Sequence, residues 1–133
     1  MTLIEKYFKE KVKNISFLEL KEDSNFEISG QLIDSNIPLP IITETLVEGI
    51  KRNTLVEEIQ VSHIIDGIIY ILGVDPDFKY NDTYKKILEL YDPKIENYIF
   101  FKGIKYLSEE NYEEAIVYFS AIKTNHRIIY FMP

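Results

Sequence analysis

Three pairs of carboxylates stand close together in this chain: Asp75 and Asp77, Glu109 and Glu110, and Glu113 and Glu114. General acid–base chemistry needs two carboxyl groups in different environments, one of them withdrawn from water. These pairs lie in turns or in the first turns of expected helices, where acids complement the positive end of the helix dipole. They read as solvated structure. Asp66 differs, because it interrupts the most apolar run of the chain, Val61 to Leu72. His63 lies one helical turn before it and can pair with it. At helical spacing Asp66 aligns with Glu58, Ser62 and Tyr70, which predicts a polar stripe that faces solvent or is hydrogen-bonded along one edge. His63, Asp66 and Tyr70 are therefore the candidates for a small-molecule site in a regulatory domain, the alternative to the reading developed below.

Other chemistry is disfavoured by residue type. The chain has no cysteine, hence no thiolate nucleophile, thiolate metal site or disulfide. The second histidine, His126, is remote in sequence and no HExxH pattern occurs, so no zinc site is expected. The glycines are scattered, which leaves no phosphate-cradling loop, and there is no GxSxG elbow. No catalytic residue, metal or cofactor is expected, and the chain reads as a non-enzyme. Its net charge of −7 disfavours nucleic acid and anionic membranes and suits a basic protein or peptide. The tyrosines lack interleaved basic residues, which argues against stacking on bases. With 133 residues, 46% of them apolar, the chain can bury a real core in one domain. The N-terminal MTLIEKYFKEKVK is amphipathic, without the apolar core of a signal peptide. The run Val61 to Leu72 is too short to span a bilayer. A cytoplasmic location is expected.

The elements that would position these residues follow from periodicity. Ile4, Phe8 and Val12 are four apart and predict a helix over Thr2 to Lys13. Phe26, Ile28 and Leu32 alternate with Glu27, Ser29 and Gln31, and Leu18 and Leu20 flank Glu19. With the turn-rich KEDSN between them, these predict a short β-hairpin. Pro38 and Pro40 are expected to end that segment and open a helix on which Ile42, Leu46 and Ile50 align, through Lys51. Thr54 to Glu57 reads as a capping box. The helix it opens, to about Leu72, is apolar enough to lie centrally, with Gly73 at its C-cap. Three helices follow: Asn81 to Tyr91, one started by Asp92-Pro93 and running to about Leu107, and one capped by Asn111, with Glu114 in capping-box position, to about Lys123. The expected fold class is mainly α, stacked antiparallel helical hairpins with a short N-terminal β-hairpin. It forms one domain over 1–133, with the N-terminal elements in 1–53 and the helical pairs in 54–127.

On the last pair, Ile99, Gly103 and Tyr106 share one face, and Ala115, Phe119 and Ile122 share another. The loop between them is short, so the two helices must be antiparallel neighbours. Glycine costs a helix about 1 kcal/mol relative to alanine. Close approach of the backbones at Gly103 and Ala115 is the expected compensation, with Phe119 and Tyr106 filling the gaps. Together with Tyr112 these residues resemble a tetratricopeptide repeat, a helix–turn–helix unit about 34 residues long. Residues 94–127 match better. Residues 60–93 form a degenerate unit that ends, as the family often does, on a proline, Pro93. There Ile65, Ile69 and Leu72 occupy apolar slots, but Ile69 replaces the family's glycine and Asn81 its alanine. In the later unit Lys102 stands where leucine is preferred and Arg127 where proline is.

The resemblance implies a non-catalytic protein–protein interaction module. The family's partner surface is lined mainly by the first helix of each pair, here by Asn97, Phe100, Phe101, Ile104 and Leu107. Members that clamp a terminal carboxylate use Lys, Arg and Asn at such sites, a chemistry Phe100, Phe101 and Ile104 cannot supply. An apolar groove, or burial of these residues by further helices, is expected instead. Glu109, Glu110, Glu113 and Glu114 would form a rim that selects a basic partner. A repeat array also needs a cap over its last hairpin. After Asn125 the sequence HRIIYFMP is too short for a capping helix and too apolar to stay in water. It is expected either to fold back over the last helix or to meet another copy, giving a homo-oligomer through the C-terminal hairpin and tail. A shortened relative of a longer array is a further reading.

Overall fold

A computed structural model of the protein describes residues 12–19, 26–28, 30–33, 37–51 and 61–126. The expected N-terminal helix, apart from the 3-10 turn Val12–Asn14, and the capping box at Thr54 lie outside these residues. The described chain is mainly helical with a short antiparallel strand region near its start. Packing divides it into two compact units, Met1–Ile68 and Ile69–Pro133.

In the first unit, β1 (Ile15–Leu18) pairs antiparallel with β4 (Leu39–Ile42), and β2 (Phe26–Ile28) with β3 (Gln31–Ile33). The second pair is a hairpin folded within the run Phe26 to Leu32, which was expected to form a single strand paired with Leu18 to Leu20. Gly30, at φ 80°, reverses the chain inside it. The strand at Leu18 pairs elsewhere: the register sets Ile15 opposite Ile42 and Phe17 opposite Pro40. The prolines therefore do not open a helix. Pro40 sits within β4, and the helix α1 (Thr43–Lys51) starts only after it. A two-stranded sheet has a free edge on each strand, and there a residue without an N–H removes no ladder bond. Leu39 and Ile41 are buried almost completely, so the run LPII is held by burial as well as by pairing. The Ser16 and Thr43 hydroxyls hydrogen-bond at 2.9 Å and tie β1 to the first residue of α1.

The helix α2 (Val61–Val74) begins in this unit. Its Gly67 faces the backbone of β4. A Cβ there would collide with the Pro40 carbonyl and stand 2.9 Å from the Ile41 Cα. Ile64, Ile65 and Ile68 complete the core of this unit with Ile15, Ile28, Leu39 and Ile41.

The second unit holds the C-terminal turns of α2 and the helices α3 (Asn81–Tyr91), α4 (Ile95–Ser108) and α5 (Tyr112–His126). Residues 67 to 74 of α2 are all buried. That is more than two helical turns, so no side of this stretch meets water. Gly73 was expected to cap the helix, yet α2 continues through Val74 and Gly73 has no positive φ. Its role is packing. A Cβ would strike the Val117 carbonyl of α5 and lie 2.8 Å from the Val117 Cγ1.

The connection from α2 to α3 closes on its own backbone. Asp75 donates to the Ile71 carbonyl at 2.8 Å and Asn81 to that of Phe78 at 3.0 Å. Asn81 is only 4% exposed, and its Nδ2 donates to the Asp75 carbonyl at 2.9 Å. Beside it Phe78 stacks on Tyr84 with ring centroids 6.0 Å apart.

Tyr84 is fully buried. Loss of water around its hydroxyl, and secondarily the neighbouring Tyr80 phenol, push its ionisation well above the ordinary tyrosine range. The folded state thus keeps a proton that the unfolded chain gives up near pH 10. The stability is present below that pH and is lost as pH rises, by about 1.4 kcal/mol per unit for one proton. Tyr84→Phe removes the proton and should flatten the alkaline loss of stability. Urea midpoints of both proteins at about pH 9 and about pH 11 check this. Parallel losses in the two would show that Tyr84 is not linked to pH.

Candidate partner-binding site

The helix α4 starts two residues later than expected, with Lys94 instead of Asp92 at its N-cap and no side-chain cap bond. The Lys94 amide donates to the Asp92 Oδ1 at 2.9 Å and the Ile95 amide to the Asp92 carbonyl at 3.0 Å. At the other end the Asn111 amide donates to the Tyr106 carbonyl at 2.8 Å, and the Glu110 amide to the Leu107 carbonyl at 3.1 Å. These two bonds form a Schellman closure, which requires a left-handed residue between helix and turn. That residue is Glu110, at φ 60°. The Asn111 side chain then accepts from the Glu114 amide, at a long 3.5 Å.

The helices α4 and α5 are antiparallel neighbours. Glu96, in the first turn of α4, accepts from the Asn125 Nδ2 at 2.9 Å and pairs with the His126 Nε2 at 2.8 Å, in the last turn of α5. Tyr106 and Tyr118 pack with centroids 5.4 Å apart nearer the turn. Ile99 and Gly103 of α4 are buried, as are Ala115, Tyr118 and Ala121 of α5. Gly103 serves a role other than the expected one. The nearest atoms to a Cβ there all belong to the Phe119 ring, the closest at 2.6 Å. The missing side chain makes room for an aromatic ring rather than for the backbone at Ala115. Lys102 holds its ammonium 5.8 Å from the Tyr118 ring centre and 5.6 Å from that of Tyr98. Its stem can cover apolar surface while its charge meets two aromatic faces.

With Ile99 and Gly103 turned to α5, the opposite side of α4 is left uncovered. Phe101 is 68% exposed, Phe100 48%, Leu107 44% and Ile104 41%, and Asn97 is exposed beside them. These five residues fall on one face at helical spacing. The structure brings them together as expected and places none of them in the core. Phe100 is the border of this face, its ring 6.1 Å from that of Phe119 and 6.0 Å from that of Phe101. Glu109, Glu110 and Glu113 are exposed at the turn beyond Leu107, and Glu114 is half-buried.

Two residues were missed. Tyr112 and Ile116 of α5 are 57% and 48% exposed, and with Phe119 they succeed one another at spacings of four and three. The Phe119 ring packs beside that of Phe100, so this strip adjoins the α4 face. Tyr112 was named only for the resemblance, and Ile116 was not singled out at all.

Of the alternative site, Tyr70 is 2% exposed, so the stripe does not face solvent there, and His63 and Asp66 are half-buried. Among the described residues no three of His, Asp and Glu form a group that could hold a metal ion, and no helix is long and apolar enough to cross a membrane.

The strained turn makes a prediction. A left-handed non-glycine residue costs on the order of 1–2 kcal/mol, so Glu110→Gly should stabilise the protein by about 1 kcal/mol. A rise in the urea midpoint checks it. No change would mean that the turn stores no strain at Glu110.

No family model, curated protein or solved structure matches the chain.

Proposed function

We propose that the protein is a non-catalytic interaction module of tetratricopeptide type, cytoplasmic, binding a basic protein or peptide segment along the α4–α5 hairpin. The observation that carries this reading is the exposure of Phe101, together with Phe100, Ile104 and Leu107, on one face of a helix whose other side is closed. Monomeric soluble proteins seldom leave such a cluster facing water without a use for it. Affinity would come from burying these side chains, and selectivity from the acidic turn. A second feature supports the turn's part in it. Glu110 is kept at a backbone position where glycine is cheaper, and strain of this kind collects at functional sites.

Two separate substitutions test the reading. Phe101→Ala and Glu110→Lys should each reduce the amount of partner retained in affinity capture, the second more strongly at low salt than at high salt. If both variants retain partners as the wild type does, the face is not the binding surface.

A further inference from the structure

Helix α4 closes on α5 through Ile99 and Gly103, and its outward side carries a second pattern. Asn97, Phe101, Ile104 and Ser108 follow one another at alternating spacings of four and three. All four are exposed, Phe101 at 68% and Ile104 at 41%. That alternation is the spacing of a seam that meets another helix side by side. The seam is apolar at its centre and ends on a short polar residue at each side. Lys94 stands exposed just before α4, and Glu109 and Glu110 stand exposed just after it.

This order is its own complement when reversed, which is what a two-fold interface requires. With two copies of α4 antiparallel, Phe101 of each meets Ile104 of the other, and Asn97 meets Ser108. The Ser108 hydroxyl already donates to the Lys105 carbonyl at 2.7 Å, so its oxygen is left to accept from the Asn97 amide. At the ends Lys94 faces Glu109 and Glu110 of the second copy. Beside the seam the exposed Lys105 comes opposite the second copy's Tyr98, a ring 37% exposed that can receive a cation on its face. A parallel pair would instead set Lys94 and Lys105 against themselves. The net charge of −7 opposes any self-association, but charges beyond about 8 Å are largely screened at physiological salt. The strip itself is balanced, two lysines against two glutamates.

We propose that a second copy of this chain docks on the outward side of α4, antiparallel, about a two-fold axis beside Phe101 and Ile104. From Lys94 to Ser108 the strip is about 21 Å long. A contact that short is of the weak, reversible kind. It shares Phe101 and Ile104 with the partner surface above, so the second copy and a basic partner compete for them.

Sedimentation equilibrium of the full chain, from about 1 μM to about 1 mM, should move from the mass of one chain to that of two. Phe101→Asp sets like charges near the axis and should keep the one-chain mass throughout, with its circular dichroism unchanged. Orientation is read with single cysteines, which the cysteine-free chain allows. Asn97→Cys and Ser108→Cys, mixed under a mild oxidant, should form the mixed disulfide, and neither variant alone should cross-link. Antiparallel pairing holds the two copies of residue 97 about 16 Å apart along the axis, beyond disulfide reach. A one-chain mass of the wild type at every concentration, a dimer that survives Phe101→Asp, or cross-linking of either cysteine variant alone as readily as in the mixture overturns the proposal. The binding reading fails separately. A dimer of this geometry together with unaltered partner capture by Phe101→Ala would keep the pair and discard the binding function.

Discussion

Gly73→Ala should lower the stability of the protein by about 2 kcal/mol, although the same change in an exposed helix raises it by about 1 kcal/mol. The sign is set by what the methyl group meets. At Gly73 it would strike the Val117 carbonyl and stand 2.9 Å from the carbonyl carbon. A flexible side chain could turn away, but a helix backbone yields only by shifting the helix, and overpacking of this kind costs about 1–3 kcal/mol or more. Gly67→Ala should behave alike in its own unit, because the β4 backbone at Pro40 and Ile41 is equally rigid. Gly103→Ala is the informative contrast. Its methyl group meets only the Phe119 ring, and Phe119 is half-buried with room to adjust, so the loss should be smaller. Urea midpoints of the three variants order them directly. A stabilising Gly73→Ala would mean that α2 and α5 do not approach as described.

Phe101→Ala should leave stability within about 0.5 kcal/mol of the wild type while weakening partner binding at least about ten-fold. The separation follows from exposure. A ring that is 68% exposed contributes little to the free protein. Buried against a partner, a phenylalanine is worth about 1.5–3 kcal/mol, which corresponds to roughly ten- to hundred-fold in Kd. Phe100 is a poorer probe, since its ring also packs on Phe119 and its loss would reach both stability and binding. The two quantities are read on one preparation, by denaturant unfolding and by a binding titration against the captured partner. Equal losses in both would assign Phe101 to the fold instead of to the surface.

The C-terminal hairpin was legible because its signals are local. Asp92 before a proline, an Asn after a short acidic turn and apolar residues at spacings of three and four are facts about neighbours in sequence, and the helices α3, α4 and α5 follow them closely. The exposed α4 face was legible for the same reason. What escaped was decided by contacts between distant segments. Pro40 reads as a helix opener until Phe17 is known to lie opposite it. Gly73 reads as a cap until Val117 is found against it. Tyr70 belongs by spacing to a polar stripe, yet it lies in a stretch of α2 buried on every side. Tyr112 and Ile116 are apolar residues that face water, which spacing alone does not disclose. Periodicity tells which residues share a side of a helix, and only packing tells whether that side is covered.

The central claim is that the α4 face meets another protein, and a photo-crosslinking residue at position 101 in the native cell tests it most directly. Lys86, exposed on α3, carries the same group as a control. The account predicts covalent adducts with one or a few proteins at position 101 and none of them at position 86. An absence of adducts at 101, or the same adducts at both positions, would contradict it.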